Sequence, residues 1–221
     1  MAAEESRELG PLPAGRHGYS REQVSHNQRE RLIAALAQVV NERGYPDVTI
    51  ADITAAAHVS RRTFYEHFDS KEACFLAAFD TLVEYLHRLI NDAIEPVEDW
   101  PHRVVAGLGA LLRFFVAEPE LARLCMVESL TAGPTVAERY REVIVGFAPL
   151  LKPGREGRSG AQSLPDSTEA TIIGSVASVI TRSIMSGEIA ELEDLLPDFT
   201  AFVLMPYLGP KKAKEIAAAA A

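Results

Sequence analysis

Seven consecutive residues, Arg61-Arg62-Thr63-Phe64-Tyr65-Glu66-His67, gather the side chains of this chain best suited to hydrogen bonding with a nucleic acid. An arginine can meet guanine O6 and N7 through two parallel hydrogen bonds. Threonine and tyrosine can donate to a phosphate or touch a thymine methyl, and histidine can reach either. At helical spacing Phe64 and Phe68 lie one turn apart and can pack inward, which turns the polar set outward. Glu66 and Asp69 read as solvated charges beside them.

Those side chains need a scaffold. His58-Val59-Ser60 has the length of a tight turn between two short helices, with Val59 placed to plug the angle and Ser60 to cap the second helix. Thr49 is placed to cap the first, with Asp52 in its opening turn and Ile50, Ile53 and Ala57 on one face. A longer helix over residues 20–43 precedes them. Its Leu32, Ile33, Leu36, Val39 and Val40 form an apolar stripe, while Arg29, Glu30, Arg31 and Glu42 fall on other faces. Gly44 and Pro46 stop it.

The formal net charge of −9 argues against a polyanion partner until its distribution is considered. Residues 11–72 carry eight basic and eight acidic side chains, whereas residues 73–221 carry thirteen against twenty. The acidity therefore lies in the C-terminal two thirds, and Arg61 and Arg62 remain available. Residues 1–19, rich in Gly, Pro and Glu without periodicity, read as a flexible arm. Two cysteines, Cys74 and Cys125, make no disulfide framework and no signal-peptide pattern is present, so a reducing cytoplasm fits best. No apolar run is long enough for a transmembrane helix. A phosphate loop, a nucleophile elbow and a metal-spaced His or Cys cluster are all missing, so no catalytic residue, metal or cofactor is assigned.

From Ser70 a fourth helix carries Phe75, Ala78, Phe79, Leu82, Leu86, Leu89 and Ile90 at helical spacing, long enough to act as a lever between two domains. Its Glu84 and His87 have the spacing of half a di-metal motif without a second half, and read as surface or pocket-edge residues. Further helices are expected over residues 99–117, 120–130 and 135–151. Their apolar residues on several faces either fill a core or line a cavity, and Trp100, Phe114, Phe115, Cys125, Met126, Tyr140 and Phe147 form the pool of pocket candidates. Residues 151–168 lack periodicity and read as a mobile loop. Two apolar helices follow over residues 167–186 and 189–208, with Pro197 marking the first turn of the second, and the terminal Ala-rich stretch reads as a frayed helical tail.

The stretch Thr63-Phe64-Tyr65-Glu66-His67-Phe68, followed by Ser70-Lys71-Glu72 and preceded by Thr49, Ile53, Ala57, Val59 and Ser60, resembles the N-terminal domain of the TetR family of transcriptional regulators. The resemblance covers residues 28–80. It implies an all-α chain with a three-helix helix-turn-helix DNA-binding domain over residues 20–69 and a larger helical ligand-binding and dimerisation domain over residues 70–221. By the same resemblance Thr49, Tyr65 and Lys71 anchor phosphates, while Arg61, Arg62, Thr63 and His67 face the major groove. Where the family commonly has glycine in the turn, this chain has His58. The last two apolar helices would pair with those of a second subunit through Ile173, Val176, Ile180, Ile184, Phe199, Phe202 and Val203.

The leading expectation is a homodimeric regulator, a repressor that binds a near-palindromic double-stranded operator and is released by a small, largely apolar effector. A second reading stays open: a helical small-molecule-binding protein or enzyme whose N-terminal helices serve as a structural or protein-interaction module. Activation in place of repression, the effector's identity and the target genes are not legible in the sequence.

Overall fold

The computed structural model describes residues 20–156 and 160–220; the expected flexible arm over residues 1–19 lies outside them. The fold is all-α, with no strand among the described residues. Its helices are α1 (Arg21–Arg43), α2 (Ile50–Ala56), α3 (Arg61–His67), α4 (Lys71–Ile94), α5 (Trp100–Ala117), α6 (Pro119–Met126), α7 (Pro134–Gly146), α8 (Thr168–Ser186), α9 (Leu196–Leu208) and α10 (Pro210–Ala219). No helix among the described residues is long and apolar enough to cross a membrane.

The chain divides into two compact units, the first running through Thr81 and taking in Glu128–Ala137. Helix α1 opens with a reciprocal cap. The Ser20 hydroxyl accepts from the Gln23 N–H at 3.2 Å, and the Gln23 side chain accepts from the Ser20 N–H at 2.8 Å. The helix closes at Gly44, where φ is 78° and the N–H bonds to the Val40 carbonyl at 2.7 Å. Its stripe of Leu32, Leu36 and Val40 is fully buried, as are Ile53 of α2 and Phe64 of α3. The opening turns of α4 complete this core with Cys74 and Phe75, the latter edge-on to Tyr45 at 5.1 Å. The unit therefore continues past the boundary expected at residue 69.

Two carboxylates tie Glu128–Ala137 into the same unit. Glu128, 4% exposed, accepts the Tyr45 N–H at 2.9 Å. Glu72 accepts the Thr135 N–H at 2.9 Å in the first turn of α7, where a negative charge is favoured. Gly133 passes so close that a Cβ there would stand 2.5 Å from Glu72 Oε1, and its φ of 132° excludes other residues as well.

The second unit comprises Leu82–Val127 and the chain from Glu138 onward. Its core takes Leu112 and Phe115 from α5, Leu124 from α6, Ile172 and Ile180 from α8, and Val203, Leu204 and Tyr207 from α9. Pro197 lies in the first turn of α9, as its fixed φ predicts. Two expectations are corrected here. The terminal stretch is helical as expected, yet it is not frayed: as α10 it packs on α9 and buries Ala213 and Ala217. Residues 151–168 are not a loose loop where described: 3-10 turns over Ala148–Glu156 and Ala161–Ser163 bury Leu151, Gly154 and Ala161. The fastener is Arg155, whose guanidinium donates to the Leu164 and Pro165 carbonyls at 2.8 Å and to both oxygens of Glu169 at 2.6 and 2.8 Å.

Candidate nucleic-acid interface

Both short helices of the reading head start with side-chain caps. Thr49 Oγ1 accepts from the Asp52 N–H at 3.3 Å, and Asp52 accepts from the Thr49 N–H at 2.9 Å and from its hydroxyl at 2.6 Å. These two bonds from Thr49 hold the Asp52 carboxyl below the usual carboxylate range, and Arg43 at 2.9 Å adds to them. Thr49 is thus an exposed residue whose hydroxyl already orders the start of α2. Ser60 does the same for α3, accepting the Thr63 N–H at 3.0 Å and sharing a 2.9 Å bond with the Thr63 hydroxyl.

Between the helices stands His58 at a φ of 50°, the one non-glycine residue with positive φ among the described residues. The departure noted in the sequence is therefore a strained left-handed position. We expect His58→Gly to stabilise the chain by about 1 kcal/mol, read as a raised urea midpoint; an unchanged or lowered midpoint would show that the histidine side chain compensates for its backbone.

The turn is braced from beneath by Arg31, only 8% exposed. Its guanidinium donates to the carbonyls of Ala57 and His58, the second at 3.2 Å. Burial lowers its pKa from the usual value. Sequence reasoning assigned Arg31 to an outer face. A signal against that was present, since Arg31, Ala35 and Val39 are four residues apart and all buried.

Phe64, fully buried, anchors α3 and packs against the rings of Tyr65 at 5.6 Å and Phe68 at 5.8 Å. The opposite face presents Arg61, Arg62, Tyr65 and Glu66, all exposed, with Thr63 and His67 half-buried on the flank. Arg61 lies 5.9 Å over the Tyr65 ring. Arg62 Nε donates to Glu66 Oε1 at 3.0 Å. Burial pushes His67 below its usual pKa. Lys71, the third expected phosphate anchor, already has partners within the chain. Its ammonium donates to the carbonyls of Tyr45 at 2.8 Å and Val48 at 2.7 Å and stands 4.0 Å over the Tyr45 ring. These bonds commit it to holding the connection between α1 and α2, and desolvation lowers its pKa there.

The profile described as bacterial regulatory proteins, tetR family, matches residues 32–78, the stretch that builds this head. Residues 32–78 of this chain are thus a TetR-family domain. Along with that match, the chain is 28% identical over 147 residues to the HTH-type transcriptional regulator EthR of Mycolicibacterium smegmatis, covering 64% of this chain and 67% of that one. Among solved structures, the fatty acid degradation regulator FadR from Bacillus halodurans superposes with a TM-score of 0.69 at 23% identity, covering 83% of this chain and 96% of its own. FadR from Bacillus subtilis in complex with stearoyl-CoA gives 0.66 at 17% identity, covering 81% and 97%. These two likenesses concern the fold. The relative and both structural neighbours are named as regulators.

In the second unit, Phe114, Phe115, Cys125 and Met126 are buried, and Tyr140 and Phe147 are half-buried. Phe114 meets Tyr85 at 5.4 Å, and Phe147 meets His87 at 4.9 Å. Tyr140 hydrogen-bonds the Thr181 side chain, and burial raises its phenol above the usual range. Burial also pushes the Cys125 thiol up to about 12, which makes it an inert space-filler. Trp100 belongs to the scaffold: its Nε1 donates to the Leu150 carbonyl at 2.9 Å, and its ring packs edge-on against Tyr207 at 5.2 Å. A Cβ at Gly154 would stand 2.4 Å from the Trp100 ring, so this packing requires glycine.

The expected dimer residues divide differently from their periodicity. Val176, Ile180, Ile184, Phe199 and Val203 are buried within the chain itself. Of the seven, Phe202 is exposed and Ile173 is half-buried, with Met185 and Met205 the further exposed apolar side chains on α8 and α9.

Proposed function

We propose that this TetR-family chain is a ligand-responsive transcriptional repressor that acts as a homodimer on a near-palindromic operator and is released by a small, largely apolar effector. The observation that carries the DNA-binding reading is α3 itself, capped by Ser60, anchored by Phe64 and presenting Arg61, Arg62 and Tyr65 on its exposed face. Two such heads in successive major grooves need centres about 34–36 Å apart or a multiple of that. Tyr65, Thr63 and Thr49 supply phosphate donors in this reading, with Arg61, Arg62 and His67 toward base edges. Lys71 acts indirectly, by fixing the start of α4. The helices α8 and α9 join the subunits through Ile173, Met185, Phe202 and Met205.

The effector reading is supported by the apolar second unit, with Phe114, Phe115, Met126, Tyr140 and Phe147 as candidate pocket residues, and by the stearoyl-CoA bound to the Bacillus subtilis neighbour. An effector releases the operator only to the extent that it binds the non-reading arrangement more tightly than the reading one. The protein acts where its operator lies, in the cytoplasm.

Arg61→Ala and Tyr65→Ala test the assignment. Each should weaken operator binding by about 1–3 kcal/mol, measured by gel shift, while the dimer mass stays unchanged. Loss of the dimer with unchanged affinity per folded protein would turn the reading towards a protein-interaction module.

A further inference from the structure

Arg62 and Glu66 are one turn apart at the apex of α3, on the side away from the buried Phe64. Their side chains are 89% and 54% exposed. A carboxylate at the centre of a face that must approach a polyanion is electrostatically unfavourable, and an ordinary surface pair of this spacing stabilises a helix only slightly. Neither consideration accounts for Glu66 if the arginine serves as a simple phosphate contact.

We propose that Arg62 and Glu66 form one base-reading couple that selects guanine, with Glu66 as the positioning residue. Glu66 accepts from Arg62 Nε at 3.0 Å, which fixes the plane of the guanidinium and leaves its Nη groups to donate to guanine O6 and N7. The second oxygen of Glu66 can accept from the amino group of an adjacent cytosine. A paired arginine carries no net charge to the interface, so the couple supplies direction in place of counterion release. Arg61, which lies over the Tyr65 ring, retains its charge for the phosphate backbone or a flanking base. The inference rests on the DNA-binding reading of α3 and adds the base that it selects.

The test is selection of binding sites from randomised duplexes by the full-length chain, followed by competition titrations at several salt concentrations. The wild type should select a guanine at one fixed place in each half-site. Arg62→Ala should lower discrimination there roughly tenfold. Glu66→Gln should lower it as well, yet tighten binding to random duplex and steepen the salt dependence by about one unit per reading head. Both variants lie on the exposed face, so their melting temperatures should match the wild type. If Glu66→Gln tightens random binding but leaves the guanine preference intact, the couple is overturned while the regulator reading survives. If the wild type selects no sequence at all, the DNA-reading assignment fails and the couple with it.

Discussion

Arg31→Met is expected to destabilise the N-terminal unit by about 2–3 kcal/mol and to abolish operator binding, although Arg31 lies on the buried side of the reading head. The guanidinium is desolvated and bonded to the Ala57 and His58 carbonyls, where α2 ends and the chain turns toward α3. A hydrogen bond from a charged donor contributes about 1.5–3 kcal/mol, and removing it strands the Ala57 carbonyl oxygen, which is buried. Methionine replaces most of the buried stem, so lost packing is a small part of the effect. The turn also holds a strained His58, and that backbone relaxes once its brace is gone. Urea unfolding with a gel shift checks both halves. Wild-type stability and affinity would show that the turn is held by Val59 and the caps alone. Exposed pairs such as Arg141 with Glu138 offer a contrast, since their removal should change stability by less than about 0.5 kcal/mol.

The second large effect belongs to the other unit. Glu169→Gln is expected to cost about 2 kcal/mol at pH 7. Glu169 is 3% exposed, grips Arg155 with both oxygens and accepts the Tyr207 hydroxyl at 3.1 Å. Its pKa is lowered chiefly by the hydrogen bond from Arg155, against the opposing effect of burial. The figure sits below the usual loss for a broken buried pair because the Arg155 side chain is 22% exposed and keeps two carbonyl partners. A carboxyl whose pKa is depressed on folding stabilises the protein above its ordinary value of 4.5, and that contribution fades as pH falls through the folded value. The gap in melting temperature between wild type and Glu169→Gln should therefore be full at pH 7 and close in acid. A gap that does not change with pH would mean that shape, not charge, is lost.

How much of this was legible in the sequence depends on the distance over which each residue finds its partners. The starts of α1, α2 and α3 were readable because Ser20, Thr49 and Ser60 bond groups three residues away. His58 was readable as a departure from a family pattern, and its positive φ gives that departure a physical meaning. The contacts of Arg31 and Lys71 were not readable because their carbonyl partners lie 23 to 27 residues away, beyond the reach of periodicity. In the second unit, Val176, Ile180 and Ile184 mark an apolar face of α8 correctly, but spacing does not say whether the chain itself or a second copy covers it. The packing of α10, though not its helicity, was missed because small alanines give almost no hydrophobic contrast, yet they allow the close contact that buries Ala213 and Ala217.

The central claim is that the exposed face of α3 reads DNA sequence. Its most direct test is an anisotropy titration of the full-length chain against a labelled duplex taken from the selection, and against a scrambled duplex of equal length and composition, at near-physiological salt. The account predicts that the selected duplex binds about a thousandfold more tightly or better. Equal affinity for the two duplexes would contradict it.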